Sequence, residues 1–217
     1  MPGEVGRRER KKQLTRRALV DAAVRLFTER GYDQTAVADI AEAADVSKRT
    51  FFLHFPTKED VLLADAGSRV DLAVQAIEGR RPDAPMREVL ADATQNMIAN
   101  TADGDLPKGV AALRAQLVVT TPAVQARVLH TTFTAQTRIA AALREAYPET
   151  LDDIAAASIV GALMGAISAA AVTSLQRGEP PARTRAAMQH AAEITLDYVE
   201  SLSPSTTGAH TEEHRNP

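Results

Sequence analysis

The chain has 217 residues, no cysteine, no tryptophan and a formal net charge of −3 at pH 7. A chain without cysteine excludes a disulfide framework and a thiolate metal site, and its length allows one or two small domains. No apolar segment follows the basic start of the sequence, so that start does not indicate a secretion signal. We expect a cytoplasmic protein.

Charge is distributed unevenly along the chain. Residues 1–58 carry 12 Lys and Arg against 8 Asp and Glu, whereas residues 59–217 carry 13 against 20. A basic first part on an acidic remainder concentrates the attraction for phosphate at one end of the molecule.

The first helix is predicted over residues 13–30, where apolar residues recur at helical spacing and Gly31 provides a natural stop. Seven cations lie on this helix or just before it, against Glu9 as the one acid among them: Arg7, Arg8, Arg10, Lys11, Lys12, Arg16 and Arg17. They indicate attraction for phosphate, and the alternative is an ordinary solvated charge run.

Two short helices are predicted next, over residues 37–44 and 48–54. Thr35 and Ser47 are available as their N-caps. Asp45 lies in the short junction between them, and Asp tolerates the left-handed conformation that such a turn requires. Two short helices joined by a tight turn, with a basic flank, are typical of a helix-turn-helix DNA-binding unit.

The third predicted helix has an inner and an outer face. Phe51 and Phe55 are four residues apart and are predicted to enter the core, whereas Phe52 is assigned to the DNA side. The outer face then contains Lys48, Arg49, Thr50, Phe52 and His54. Residues 57–60 resemble a capping box, which places Lys58 in the first turn of a long fourth helix, where its ammonium can meet a phosphate.

From residue 58 onward the sequence shows only helical periodicity, so we expect an all-α protein of about nine helices. Four of the later helices are predicted over residues 58–78, 86–100, 122–146 and 182–202. A short sixth helix is predicted to begin at Pro107, and an eighth helix is predicted to be capped near Thr150 and Asp153 and to reach Arg177. We expect a DNA-binding domain at 1–57, a ligand-binding and dimerisation domain at 58–202, and a disordered tail at 203–217.

The eighth predicted helix contains an uncharged stretch over residues 154–175. That length can span a bilayer, but the many alanines and the interrupting Ser and Thr favour a helix covered by protein, so we expect no membrane partner. Small residues recur there at every fourth position, at Ala157, Gly161, Gly165 and Ala169, and allow a neighbouring helix to approach closely. The partner is either another helix of the subunit or a second copy of the chain, in which case the ninth helix adds Ala186, Ala187, Ala191, Ile194, Leu196 and Val199.

A helical body with polar groups on apolar faces can hold a small molecule. The candidate contacts are Met97, Arg114, Leu117, His130, Phe133, Thr134, Thr137 and Met164. His130 has no second histidine or carboxylate at a metal-binding spacing, so no metal site is expected.

Three segments together resemble the N-terminal domain of TetR/AcrR-family regulators: FTERG at 27–31, residues 35–44, and VSKRTFFLHFPTKEDVL at 46–62. This resemblance covers roughly residues 12–63. It implies that Lys48, Thr50, Phe52, His54 and Lys58 face DNA, mostly its backbone, and that Arg49 or Thr50 reaches base edges. With the two caps, the predicted DNA-binding set is Thr35, Ser47, Lys48, Arg49, Thr50, Phe52, His54 and Lys58.

Family members commonly have Thr where Ala36 stands, Gly where Asp45 stands and Tyr where Phe52 stands. Phe52 lacks the hydroxyl that would bond a phosphate, so its contact is expected to be apolar, with sugar or a thymine methyl.

The same resemblance implies a homodimer formed through the last two helices, a palindromic operator on double-stranded DNA, and repression released by a small-molecule effector. The predicted dimer contacts are Ala157, Gly161, Gly165, Ala169, Ala187, Ala191 and Ile194. Residues 114–142 resemble family members that bind acyl-CoA-like ligands, which implies that Arg114, Arg127 or Arg138 meets an anionic headgroup. No cofactor is expected.

Two other classes of protein are weighed against a regulator. An enzyme needs a nucleophile with a base, paired carboxylates, a metal cluster or a phosphate loop, and the sequence offers none of these patterns. The second alternative is an all-helical interaction protein or a nonspecific DNA-compacting protein. Sequence-selective, saturable binding to one short palindrome argues against it, whereas uniform, salt-sensitive binding to any duplex supports it.

Overall fold

A computed structural model describes the backbone of residues 2–202 and the side-chain surroundings of residues 6–200. Within the described backbone there are nine α-helices, one 3-10 helix and no β-strand, which confirms the predicted all-α class. The α-helices are α1 (Pro2–Arg30), α2 (Val37–Ala43), α3 (Lys48–His54), α4 (Ala66–Glu78), α5 (Met86–Asp103), α6 (Val110–Thr120), α7 (Pro122–Ala146), α8 (Asp153–Gln176) and α9 (Pro181–Leu202), and the 3-10 helix is Glu59–Leu63. The tail predicted to be disordered lies outside these residues.

The head of the molecule consists of α1, α2, α3 and the 3-10 helix around one apolar core. Phe51 and Phe55 are buried in it beside Ile40, as predicted, and burial of each phenyl side chain stabilises the head by about 1.5–3 kcal/mol. Asp45 has φ +51°, which confirms the left-handed turn between α2 and α3. The head therefore contains the expected helix-turn-helix.

The two predicted N-caps have different outcomes. Ser47 caps α3, because its Oγ accepts a hydrogen bond from the Thr50 amide at 3.1 Å. The prediction for Thr35 is wrong, since Ala36 is the N-cap of α2 and its amide donates to the Asp39 carboxylate at 2.8 Å. The Thr35 hydroxyl instead donates to the carbonyl of Gly31, the residue directly after α1, at 2.8 Å.

Three of the helix starts in the body differ from prediction. The long fourth helix is divided into the 3-10 helix and α4, and the Asp60 carboxylate accepts bonds from the amide and the hydroxyl of Thr57, at 2.9 and 3.0 Å. The sixth helix begins at Val110 rather than at Pro107, because Gly109 takes φ +73°. The cap of α8 is Asp152, whose Oδ1 accepts from the Ala155 amide at 2.7 Å, and not Thr150.

The body packs α4, α5, α7 and α8 around a second apolar core that includes Ile77, Leu90, Leu143 and Val160. Leu196 of α9 is also buried in it, so this residue is not available for the dimer interface to which the sequence analysis assigned it. Residues of α6 and α7 pack against the core of the head instead: Val110, Leu117 and Val124. The head thus rests on α6 and α7, and its division from the body at residue 57 stays a prediction.

Candidate DNA-binding surface and effector cavity

The exposed side of α3 is the first candidate site. Lys48 and Arg49 are exposed, and Phe52 leaves 52% of its surface uncovered while its ring packs edge-on against Phe51, with 5.5 Å between the ring centroids. Leu53 is even more exposed, and the sequence reasoning missed it. The result is a short helix with two cations at its N-terminal end and two uncovered apolar side chains further along.

Ser47 and Thr50 lie at the N-terminal end of α3. The two hydroxyl oxygens are 2.9 Å apart, so one hydroxyl donates to the other, and Ser47 also holds the Thr50 amide. Ser47 is exposed and Thr50 is half-buried. Both hydroxyls lie beside the cations of α3, where a phosphate can replace their mutual bond.

His54 ends α3 and differs from the other residues of the predicted surface. Its Nδ1 atom is buried and has no hydrogen-bond partner among the described residues. Burial lowers the pKa of the imidazole, and the positive charges of Arg16 and Lys12 lower it further. A neutral imidazole adds no positive charge to this surface, so the charge must come from Lys48, Arg49 and the cations of α1.

Two members of the predicted DNA-binding set are directed inward. The Lys58 Nζ atom donates to the carbonyl oxygens of Tyr32 and Thr35, at 2.9 and 3.1 Å, and lies 3.8 Å from the centre of the Tyr32 ring. Only 1% of the Thr35 surface is exposed. The predicted phosphate contact of Lys58 and any side-chain contact of Thr35 are therefore wrong for this conformation, because the turn between α1 and α2 engages both side chains.

Arg16 joins α1 to the end of α3. Its guanidinium donates to the His54 carbonyl at 2.9 Å and to the Ala64 carbonyl at 2.6 Å, and it lies 4.3 Å from the centre of the Phe55 ring. This one side chain holds the last turn of α3 and the segment after the 3-10 helix together. The orientation of α3 is consequently tied to the path of residues 59–65.

A cavity of about 290 Å³ lies within the body, between α4, α5, α6, α7 and α8. Most of its wall is apolar, with Val70, Leu90, Ile139 and Leu163 among the lining residues, and Thr94, Thr131 and Thr132 add hydroxyls. The predicted ligand contacts Met97, Arg114 and Met164 line it. A concave, mainly apolar space with a few polar groups is typical of a small-molecule site.

The other predicted ligand contacts do not line this cavity. His130, Phe133, Thr134 and Thr137 lie on the exposed side of α7, where Phe133 is 72% uncovered, and the cavity side of the helix carries Val128, Thr131, Thr132, Ala135 and Ile139. The register predicted for α7 is therefore wrong, since the four predicted residues lie on its exposed side. Leu117 is buried in the core of the head instead.

The cavity has one charged end. Arg114 and Arg69 both donate to Oδ2 of the buried Asp105, at 2.8 and 3.2 Å. Burial lowers the pKa of the Arg69 guanidinium, Asp105 opposes that shift, and repulsion from Arg114 adds to it. Arg114 also donates to the Leu62 carbonyl at 2.8 Å. A cavity-lining side chain is thus bonded directly to the 3-10 helix of the head.

The two other arginines proposed for an anionic headgroup are engaged elsewhere. Arg127 donates to Oδ1 of Asp60 at 2.6 Å, which ties α7 to the 3-10 helix. Arg138 pairs with Asp71 at 2.8 Å on the exposed surface, outside the cavity wall. Neither has the place that the sequence prediction gave it, and Arg114 is the one of the three that lines the cavity.

Comparison with known proteins identifies the family. The family model described as "Bacterial regulatory proteins, tetR family" matches residues 19–64. The regulator TcmR of Streptomyces glaucescens is 32% identical over 155 residues, which cover 70% of this chain and 69% of that protein. The chain belongs to the TetR family. Its relatives are transcriptional regulators and not enzymes.

Solved structures agree with this TetR-family fold. A TetR-family regulator of Syntrophomonas wolfei superposes with a TM-score of 0.62 at 12% identity, covering 90% of this chain and 97% of that one. FadR of Thermus thermophilus, a TetR-family repressor in complex with lauroyl-CoA, gives 0.53 at 24% identity, covering 93% and 98%. Likeness at these identities shows the fold alone.

One face of α8 is left uncovered in this TetR-family chain. Ala157, Gly165 and Ala169 are exposed, and a Cβ atom added at Gly161 or Gly165 would meet no other atom of the described chain within 4 Å. The alternative of close packing within the subunit is therefore wrong for these two glycines. On α9, Ile194 is exposed and Ala187 and Ala191 are half-buried.

The composition of α8 also meets the length and hydropathy expected of a membrane span. Among the described residues, α8 is the single helix that meets both criteria, and one apolar helix of this kind is weak evidence for a membrane protein. Among the described side chains, no group of three or more His, Asp or Glu has the geometry to hold a metal ion.

Proposed function

We propose that this TetR-family protein is a dimeric, cytoplasmic repressor that binds a palindromic operator and leaves it when a small apolar or amphipathic effector fills the cavity. The observation that supports this most is the bond from Arg114, in the cavity wall, to the Leu62 carbonyl. It gives an effector a short physical path to the head.

The operator contacts we propose lie on α3 and its cap. Lys48 and the hydroxyls of Ser47 and Thr50 bind phosphates, Phe52 makes an apolar contact, and Arg49 or Thr50 reaches base edges. His54, neutral and half-buried, contributes through packing rather than charge. Two such heads in a symmetric dimer read two half-sites about one helical turn apart, which predicts a palindrome.

The dimer we propose forms through the uncovered face of α8 together with α9. Ala157, Gly161, Gly165 and Ala169 offer no bulky side chain, so the partner's backbone can approach closely. Ala187, Ala191 and Ile194 extend the apolar surface on α9. Burial of these residues between two subunits would also remove the exposed apolar face of α8 from water.

The effector we propose is apolar over most of its length, because the cavity wall is apolar. Thermus thermophilus FadR, with a similar fold, binds lauroyl-CoA, and this makes an acyl-CoA the first class to test. In such a ligand the acyl chain occupies the cavity and an anionic group approaches Arg114, where it competes with Asp105 and with the Leu62 carbonyl.

Release follows if the effector prefers the head position that does not fit the operator. When Arg114 turns to the effector, the 3-10 helix loses one of its anchors to the body, and Arg16 carries the displacement to the last turn of α3. Ordinary allosteric coupling is about 1–3 kcal/mol, and it requires different effector affinities in the two states.

The test is a mobility-shift titration of purified protein on the DNA upstream of its own gene, with random duplex as competitor and a panel of acyl-CoAs. We expect a competitor-resistant shift that one acyl-CoA releases. Specific binding that no acyl-CoA releases would overturn the effector class. Equal, salt-sensitive binding to every duplex would favour a DNA-compacting protein instead.

A further inference from the structure

The basic arm, defined here as residues 6–13 at the start of α1, makes no packing contact that explains its sequence. Every one of these residues is exposed, and so is Leu14 after them. The packing of α1 against the head begins near Leu19, which is fully buried. The arm is therefore an unpartnered helical segment that extends beyond the core of the head.

The charge of the arm is strongly positive. Five of its eight residues are cations, and the one acid among them is Glu9: Arg7, Arg8, Arg10, Lys11 and Lys12. No ion pair joins any of these five cations to another side chain in the described residues 6–200. The arm thus presents uncompensated positive charge to solvent.

This charge pattern destabilises the arm as a free helix. Arg7 and Lys11, and likewise Arg8 and Lys12, are like charges four residues apart on the same helix surface. A polyanion removes this repulsion, and the exposed segment has no role in the core of the head that would account for its sequence.

The direction of the cations follows from Arg16. Residues four apart in a helix share a face, so Arg8, Lys12 and Arg16 form one stripe along α1. Arg16 donates to the His54 carbonyl at 2.9 Å, which directs this stripe toward the C-terminal end of α3. Lys12 is also close enough to help lower the pKa of His54, together with burial and Arg16.

We propose that the basic arm is a second DNA-binding surface that binds the phosphates of the duplex beside the base pairs under α3, without reading their sequence. A helix of eight residues is about 12 Å long, which spans roughly three to four base-pair steps. The proposal rests on DNA binding by α3, since α3 places the arm next to the duplex.

The experiment compares the wild-type chain with the triple variant Arg8→Gln, Lys11→Gln, Lys12→Gln, in which Arg16 is kept because it holds α3. Glutamine preserves helix propensity. The matched control is Arg81→Gln, Lys108→Gln, Arg177→Gln, which removes the same charge from exposed positions of the body. The DNA is an operator selected from random duplexes, prepared with flanks of several different sequences. Fluorescence anisotropy measures its affinity for each protein at salt concentrations from about 50 to about 300 mM, a range over which phosphate contacts dominate the change in affinity.

We expect the slope of log K against log salt to be less steep in the arm variant by about 2–3, at about 0.9 for each lost phosphate contact. This change should be the same for every flanking sequence. The control variant should have the slope of the wild type. An unchanged slope in the arm variant would overturn the proposal, as would a change in base preference at the flanks. Salt-dependent binding of the arm to anionic vesicles, with an unchanged DNA slope, would assign it to a membrane instead. If the wild type selects no operator, the proposed function fails, and the slope on random duplex still tests the arm.

Discussion

Arg114 donates one hydrogen bond to the Leu62 carbonyl at 2.8 Å and another to the Asp105 carboxylate at 2.8 Å from the same nitrogen atom. The first bond reaches the 3-10 helix that follows the DNA-binding helices, and the second lies at the charged end of the cavity. Arg16 continues the connection, since it holds both Ala64 and His54. The head and the cavity therefore share a continuous set of polar contacts.

Replacement of this arginine is expected to affect both operator binding and effector binding. We expect Arg114→Gln to weaken operator binding without any effector, because the loss of the bond to the Leu62 carbonyl reproduces the proposed releasing step. We also expect it to bind acyl-CoA at least ~10-fold more weakly, because the charged contact to the anionic group is lost. The unfolding free energy should fall by about 1–3 kcal/mol, as expected when buried partners are left unpaired. Arg138→Gln, on the exposed side of α7, is the control and should release normally. Normal release by Arg114→Gln would contradict the proposed path.

Lys58 is expected to contribute to the stability of the fold, and Lys48 to DNA binding. Lys58→Met removes the donor to two turn carbonyls and should lower the free energy of unfolding by about 1–3 kcal/mol, with little change in the salt dependence of DNA binding. Lys48→Ala should leave stability unchanged and reduce the slope of log K against log salt by about 0.9. Chemical denaturation measures stability, and anisotropy titrations measure the salt dependence of DNA binding. A less steep salt slope in Lys58→Met, with unchanged stability, would contradict the inward position of the Lys58 ammonium.

The glycines of α8 provide a test of the dimer. A Cβ atom at Gly165 meets no atom of another helix within 4 Å, and the position is exposed, so we expect Gly165→Leu to leave the stability of the monomer unchanged. The leucine side chain would block a second helix at the proposed interface. We expect a monomer by light scattering and at least ~100-fold weaker operator binding, since a single head reads one half-site. Gly67→Leu, at an equally open position on α4, is the control. If Gly165→Leu forms a dimer as stable as that of the wild type, α8 is not part of the dimer interface.

Substitutions on the two sides of α7 are expected to differ in their effect on effector binding. Ala135→Leu places extra volume in the cavity and should weaken effector binding at least ~10-fold while leaving operator binding intact. Thr137→Leu, on the exposed side, should change neither. Calorimetric titration with the acyl-CoA and a thermal melt of each variant measure affinity and folding. Equal effects of the two substitutions would contradict the assigned cavity wall.

The pH dependence of stability follows from His54. Its pKa in the folded protein is lowered, by burial first and then by Arg16 and Lys12, from the usual value of 6.5. The folded state therefore binds fewer protons than the unfolded state, and stability that is fully present above pH 6.5 is lost as the pH falls through the folded pKa. Melting temperatures between pH 7.5 and about 5.5 should decline less in His54→Gln than in wild type. An identical decline would mean that His54 does not contribute.

Local signals in the sequence predicted α3 to its exact ends. Ser47 as cap, Asp45 in the turn and the spacing of Phe51 and Phe55 all act within a few residues, and all are confirmed. Contacts between distant residues had no such signal. Lys58 bonds to a carbonyl 26 residues away, and Arg114 to one 52 residues away.

The inner face of α7 could not be predicted for another reason. Phe133 is more apolar than Thr131 or Thr132, so the choice of single apolar residues favours the wrong side of the helix, and the packing of α4, α6 and α8 around α7 determines the register. The small residues of α8 were a clear pattern in the sequence, but they did not show whether the partner helix lies in the same subunit. The structure excludes close packing of another described helix against Gly161 and Gly165, whose surroundings are open.

The central claim is that cavity occupancy and operator binding are coupled, and the most direct measurement determines the affinity of an acyl-CoA for the protein with and without saturating operator. The account predicts weaker acyl-CoA binding on the operator, by about 5- to 150-fold, and an equal loss of operator affinity at saturating acyl-CoA, because coupling between two sites is reciprocal. Equal acyl-CoA affinity in the two states would contradict it.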